Sequence, residues 1–415
     1  MNNRLNLVFD AWDLPNIPRP NLDFINGEKT VCELPFFLMT SNFTNKDHKV
    51  RLCDLTDIND SENFYYVINH FCPFYQMIIG NNWLISESVE DCIRHKNLNV
   101  IFMSFHESFN NFDFDIRLLQ NVLKRKNLNE SQFYIINNNS LLTDFYNIFD
   151  TKINLIKSDF LVEVSSSSLS QDYSSIKPYD GDKKFTFLCQ NRRPKTHRLT
   201  LLSLLKYNNL LSDDLIDWSL TYGVNNHSDL ITFGDELFFN DEKSPNIVND
   251  FNEITSSPKL GFYEQDKHWF NKPENYKHFQ HIEYESFKNS YINIVSESNY
   301  EVKEIHITEK TYKPFFFFQI PVFLSTYGHV DMLKKEHDFF LFDDLVDHSY
   351  DSEVDNVKRM YMVVDEIKRL SNMKGYIKEY YNKNMDKLVH NHNYIKNFKD
   401  TNSTMNLFSK LINKN

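Results

Sequence analysis

Tyr291–Phe323 reads YINIVSESNYEVKEIHITEKTYKPFFFFQIPVF. Tyr291 to Val295, and Val322 to Leu324 at the far end, are short apolar runs of strand type. Between them stand Glu297, Ser298 and the step Thr308-Glu309-Lys310, followed by an aromatic segment with helical spacing. Polar residues that leave one buried strand and re-enter at a helix start are where an open α/β sheet places ligand chemistry. The stretch therefore sets the fold class as α/β and puts the site in the last third of the chain.

Working outward, Leu5 to Phe9, Phe64 to Asn69, Val100 to Phe105 and Gln132 to Asn137 read as further strands, with Leu118 to Lys126 as a helix. Phe185 to Cys189 and Leu215 to Leu220 read as strands around a helix over Lys195 to Tyr207, with Leu199, Leu202 and Leu205 on one face. Phe339 to Phe342 adds another strand. Val354, Val357, Tyr361, Val364 and Ile367 recur at helical spacing and predict an amphipathic helix. The segment 223–257, rich in Asn, Asp and Ser, reads as an irregular insertion. Ser165 to Ser170 and the polar residues after it are the best domain boundary. The expected organisation is an α/β domain over 1–175, a second over 176–375 and a helical tail over 376–415. Two such Rossmann-like domains facing a cleft would form a natural substrate site.

A chain of 415 residues with 41% hydrophobic and 15% aromatic content has material for two cores. A net charge of -12 argues against a protein whose main task is gripping nucleic acid. Five cysteines, with no CxxC pair, argue against a zinc knuckle or disulfide framework and fit a reducing compartment, the cytoplasm. No apolar run approaches transmembrane length, and Phe315 to Phe318 reads as helix packing. No Gly-rich phosphate loop of the dehydrogenase or P-loop type is present. Asp113-Phe114-Asp115 has the form of an Asp-x-Asp metal element, but no strand leads into it and it is taken as chance, so no metal site is expected.

Two groups can carry chemistry. Asn191-Arg192-Arg193-Pro194-Lys195-Thr196-His197-Arg198 places a dense basic cluster where a strand turns into a helix. Unpaired N–H groups at a helix start attract anions, and Arg adds bidentate donors for phosphate oxygens. Arg192 and Arg198 are the preferred phosphate contacts, with Lys195 beside them; a solvated basic loop is the alternative. In the second group, Glu297 can accept ribose or sugar hydroxyls, Thr308 is an N-cap, and Glu309 and Lys310 occupy the first helical turn. The plainer alternative makes Glu309 a surface acid favoured by the helix dipole and Lys310 its solvated partner. His281, His306 and His329 are candidates to approach the cleft, but each reads more readily as a surface or capping residue. For a base acting on an acceptor hydroxyl, Glu107 and then His106 follow the strand Val100 to Phe105, with Asp10 and Asp13 as weaker choices; a loop acid is the alternative for Glu107.

Ser296-Glu297-Ser298, Ile307-Thr308-Glu309-Lys310-Thr311-Tyr312-Lys313-Pro314 and Ile320-Pro321-Val322-Phe323-Leu324 together resemble the donor-binding signature of the α-1,3-fucosyltransferase family. The segment Asn191 to Arg198 is similar to the arginine-bearing segment of related viral and bacterial glycosyltransferases. The resemblance covers Phe185 to about Leu324, and the Glu297–Thr308 interval is longer than that family's. It implies a two-domain GT-B glycosyltransferase, inverting and metal-independent, whose second domain holds a nucleotide-diphosphate sugar, with a GDP-sugar favoured. It further implies that Glu309 contacts the ribose, that Lys310 and an arginine face the phosphates, and that Glu297 faces the sugar or ribose. The expected reaction is sugar transfer to a glycan hydroxyl, with no cofactor required, no stable nucleic-acid binding and no membrane insertion. Localisation is expected to be cytoplasmic, in the host cytoplasm for a viral protein, and the oligomeric state is open. A DNA-modifying glycosyltransferase and a non-catalytic carbohydrate-binding or scaffold protein are the alternatives.

Overall fold

The computed structural model describes residues 4–8, 21–25, 28–32, 49–53, 55–69, 83, 85–104, 112–137, 150–157, 175–179, 181–191, 195–220, 244–256 and 284–398. Contacts group the chain into two compact units, Met1–Val164 with Lys399–Asn415, and Ser165–Phe398.

In the first unit, strands β1 (Arg4–Val8), β4 (Lys49–Cys53), β5 (Phe64–Asn69), β6 (Leu98–Ser104), β7 (Phe133–Asn137) and β8 (Asn154–Lys157) form a parallel sheet in the order β4-β1-β5-β6-β7-β8. β2 (Asn21–Ile25) and β3 (Glu28–Cys32) pair separately as an antiparallel hairpin. Helices α1 (Glu87–His95) and α2 (Phe112–Arg125) contribute Val89, Ile93, Ile116, Leu119 and Leu123 to the core beneath Val100, Phe102 and Phe133. Strands covered in this way read as nearly continuous apolar runs, as β6 and β7 do.

The second unit holds a four-stranded parallel sheet, ordered β10-β9-β11-β12, from β9 (Phe185–Asn191), β10 (Ile216–Leu220), β11 (Ser290–Ser296) and β12 (Ile320–Leu324). Every residue of β11 and β12 is buried, the pattern of central parallel strands. Helix α3 (Thr196–Tyr207) follows β9 and is buried continuously from His197 to Leu205, so it is enclosed rather than amphipathic. α4 (Ser244–Ser256) packs on it, tied by a Lys206–Glu253 ion pair. The chain is thus an α/β protein with two parallel sheets flanked by helices, compatible with two Rossmann-like subdomains.

The aromatic run after Lys313 is core. Helix α6 (Glu309–Phe316; α5 is Tyr284–Lys288) ends in a Schellman motif, with the Gln319 N–H donating to the Pro314 carbonyl and Phe318 left-handed at φ 56°. Glycine usually takes that position. Here the Phe318 ring stacks on His392 at 4.4 Å, and Tyr381 donates to the Phe318 carbonyl at 2.7 Å. Burial of the ring offsets about 1 kcal/mol of backbone strain. Tyr381 and His392 lie on α9 (Lys374–Lys383) and α10 (Met385–Lys396), which follow α7 (His329–Glu336) and α8 (Asn356–Ser371).

Three expectations are corrected. Phe339 to Phe342 is not a strand: Asn391 satisfies both backbone groups of Phe340, Phe342 is left-handed at φ 62°, and Phe339 stacks on Phe315 at 4.0 Å. Segment 223–257 contains helix α4 within its described part. In α8 the buried stripe is Met360, Val363, Val364, Ile367 and Leu370, while Val354 precedes the helix and is exposed. No described helix is long and apolar enough to cross a membrane.

Candidate functional site

From β9 the chain moves to β10 on one side, then returns to β11 on the other. The strand order therefore reverses between β9 and β11, and ligands of open α/β sheets bind outside the carboxyl ends at such a point. The register that pairs Asn293 with Leu188, carried to the strand ends, sets Ser296 level with Asn191. Glu297 is the next residue.

The Glu297 side chain is completely buried. Its Oε1 accepts from the Thr308 N–H at 3.2 Å and the Thr311 hydroxyl at 2.5 Å. Its Oε2 accepts from the Ser298 N–H at 3.0 Å and the Thr308 hydroxyl at 2.6 Å. Burial alone would raise this carboxyl; the Lys310 ammonium at 3.8 Å, His329 and the two threonine hydroxyls outweigh it and hold it down to about 2. Glu297 therefore carries its charge inside the protein and pins the start of α6 to the end of β11.

Thr308 is the N-cap of α6, as its residue type predicts. Because its hydroxyl proton goes to Glu297, its oxygen accepts from the Lys310 N–H at 3.4 Å and from Lys310 Nζ at 2.7 Å. Lys310 Nζ also donates to Ser298 Oγ at 3.2 Å and lies 3.6 Å from Glu309. About a quarter of the Lys310 side chain reaches solvent. For Glu309, burial raises the carboxyl, but Lys310 and Lys313 outweigh it and its affinity for a proton is lowered. Behind this group, His329 donates from Nε2 to Thr311 at 3.1 Å, because Thr311 donates to Glu297, and with the ring kept neutral by burial its Nδ1 accepts from Ser325 at 3.1 Å.

The basic segment meets the same strand end. Lys195, the residue before α3, donates to the Ser298 carbonyl at 2.8 Å. Buried Arg198 donates through Nη2 to the Ser296 and Glu297 carbonyls at 3.2 and 3.1 Å. His197 donates from Nε2 to the Glu297 carbonyl at 2.9 Å, and burial, followed by the neighbouring Arg198 charge, keeps it neutral. Its ring stacks on Tyr300 at 5.5 Å, and the Arg359 guanidinium covers Tyr300 at 4.5 Å. Arg359, almost wholly buried, donates to the carbonyls of Tyr300, Ser325 and Glu353 and to the Asn356 side chain, locking the 297–308 loop to α8.

Of the residues singled out in the sequence, Lys195, Arg198, Glu297, Thr308, Glu309 and Lys310 thus come together at one strand end. Arg192, Glu107, His106, Asp10, Asp13 and His281, and the boundary segment Ser165 to Ser170, lie outside the described residues. Sequence reasoning missed Thr311, although its position three residues after the N-cap puts it on the Thr308 face. It also left His329 and His306 undecided. His306 is 2% exposed, and neither ring nitrogen has a hydrogen-bond partner. Among the described residues, no group of three or more His, Cys, Asp or Glu is placed to hold a metal ion.

Three cationic side chains, Lys195, Arg198 and Lys310, thus lie with the N-terminus of α6 at the switch point, and such groups attract anions in general. Comparison with protein-family models finds no match, and comparison with curated proteins finds none either. The resemblance to α-1,3-fucosyltransferases rests on its short segments, and the fold is α/β of a generic Rossmann-like type.

Proposed function

We propose that the second unit binds a nucleotide-diphosphate sugar at the carboxyl ends of β9 and β11, and that the protein transfers the sugar to a glycan hydroxyl. The observation that carries this reading is Lys310: a partly solvent-accessible ammonium in the first turn of a helix at the sheet's switch point, fixed by an internal carboxylate. In this reading Lys310, Lys195 and Arg198, joined by Arg192, balance charge growing on the leaving diphosphate. Donors held in place beforehand stabilise a transition state without reorganising, which is the largest single source of rate in many enzymes. With this set of cations, transfer needs no cofactor.

Glu309 takes the ribose hydroxyls. Glu297, which the resemblance sets against the sugar, acts here as the brace beneath the site, because protein donors occupy both of its oxygens. Glu107, with His106 as the second choice, is the base for the acceptor hydroxyl in an inverting displacement. GDP is the first base to try.

The test is thermal stabilisation of the full chain by GDP, UDP, CDP and their sugars, with calorimetry for weak binders. A ligand at about a hundred times its Kd stabilises by roughly 2.7 kcal/mol. One diphosphate should raise Tm clearly, and Lys310→Ala should abolish the rise while lowering turnover at subsaturating donor. No response to any nucleotide, or an undiminished response in the Lys310→Ala protein, refutes the proposal.

A further inference from the structure

Buried polar groups are almost always hydrogen-bonded, so an unpaired cluster needs an explanation. Several such groups lie on the last residues of β9 and β11 and on the loop that follows β11: Asn191 Oδ1, Ser296 Oγ, Asn299 Nδ2 and both ring nitrogens of His306. Asn191, Ser296 and His306 are each at most 3% exposed. His306 lies two positions before the α6 N-cap, and its ring feels the charges of Glu297, Lys310, Lys195 and Glu309, the groups of the site itself. Burial first, then the two lysines, push its proton affinity down to about 4 against the pull of the two glutamates. At neutral pH the ring is uncharged, with one N–H to give and one lone pair to fill.

A phosphate oxygen can accept from such a ring, but the proton a diphosphate keeps in neutral water is driven off beside the Lys310 and Lys195 ammonium groups, leaving none to offer the second nitrogen. A hydroxyl can do both. We propose that His306 is a recognition residue of this site, giving its N–H to a ligand oxygen and accepting from a ligand hydroxyl, so that the site selects a hydroxyl-bearing phosphoester over inorganic diphosphate. The inference rests on the nucleotide-sugar reading above and adds to it the residue that reads the sugar or ribose. Asn191, Ser296 and Asn299 supply further donors and acceptors at the same strand ends. A site built to pair a substrate hydroxyl discriminates strongly against a ligand lacking it, because its own buried groups are then left unpaired.

Calorimetry on the full-length protein separates the outcomes. The probes are inorganic diphosphate, the preferred nucleoside diphosphate and its sugar conjugate, with wild type, His306→Phe and His306→Asn. The expected result has two parts. Without ligand, His306→Phe melts at or above the wild-type temperature, because two unpaired nitrogens are removed from the interior. With ligand, it binds the hydroxyl-bearing compounds about tenfold more weakly while inorganic diphosphate is unaffected. His306→Asn, which keeps a donor and an acceptor, recovers part of the loss. Equal affinities in wild type and His306→Phe overturn the role of His306 alone. A marked fall in Tm for both variants makes the residue structural and also overturns it. A wild-type protein that binds inorganic diphosphate but no nucleotide, or none of the three, refutes the reading of the whole site.

Discussion

Glu297→Gln is the most informative single change, because it keeps the shape of the side chain and removes the charge. The carboxylate accepts four protein donors, two on each oxygen. A glutamine offers one acceptor oxygen, and its NH2 must face either the Ser298 N–H or the Thr308 N–H. A hydroxyl can rotate away; a backbone N–H cannot. One buried donor is left unpaired, at about 1–3 kcal/mol. The proton equilibrium gives an independent figure. The carboxyl falls from its ordinary 4.5 to about 2 on folding, and each tenfold in proton affinity is about 1.4 kcal/mol, so the ionised group contributes roughly 3 kcal/mol at neutral pH. Its folded affinity for a proton is the lower one, so this stability is complete well above 4.5 and is lost as pH falls toward about 2. Urea unfolding of wild type and Glu297→Gln at pH 7 and pH 3 reads it out. The gap between the two should be ~3 kcal/mol at pH 7 and roughly half that at pH 3. A gap that does not change with pH, or one below ~1 kcal/mol at pH 7, refutes the assignment of Glu297 as an ionised internal brace.

Other perturbations test neighbouring parts. Thr308→Val should lower stability by about 1–2 kcal/mol through loss of the cap and of a Glu297 donor, with Thr308→Ser restoring most of it in thermal melts. Arg359→Ala should cost about 3 kcal/mol or more, and Arg359→Lys should rescue little, since an ammonium cannot span the acceptors that the planar guanidinium joins; chemical denaturation decides this. Buried Lys183, whose ammonium is disfavoured first by burial and then by Lys288, releases its proton near 7 rather than 10.5. The unfolded chain binds that proton more tightly, so wild-type stability should rise with pH across this window, and Lys183→Met should flatten the rise in unfolding free energies at pH 7 and pH 10.

What was legible in the sequence had local causes. β12 shows as an unbroken apolar run, and β11 as one interrupted within its span only by Asn293, because parallel strands covered on both faces admit little else, and Thr308 shows as a cap because a threonine before a helical turn has one common use. The bonding of Glu297 was not legible, because only the path of the 297–308 loop brings the N-terminal turn of α6, with Thr308 and Thr311, back onto the end of β11. Phe339 to Phe342 misled because aromatics are enriched in strands and in cores alike, and only the side chain of Asn391 shows where that backbone's hydrogen bonds go. Helix α1 escaped notice because its buried face is short, with Val89, Cys92 and Ile93 its only apolar members.

The Arg359 clasp bears on how this protein can be dissected. The loop that leaves β11 runs from 297 to 308, yet what holds Tyr300 in place arrives more than fifty positions later, in the first turn of α8. A fragment ending after β12 would retain every residue assigned to the anion and still lack the guanidinium that caps the His197–Tyr300 stack. In such a fragment the loop would have to be ordered at the moment of binding, and apparent affinity would fall by that ordering free energy although no contact residue had been removed. Weak binding by a shortened chain would therefore report a missing clamp rather than a wrong choice of ligand.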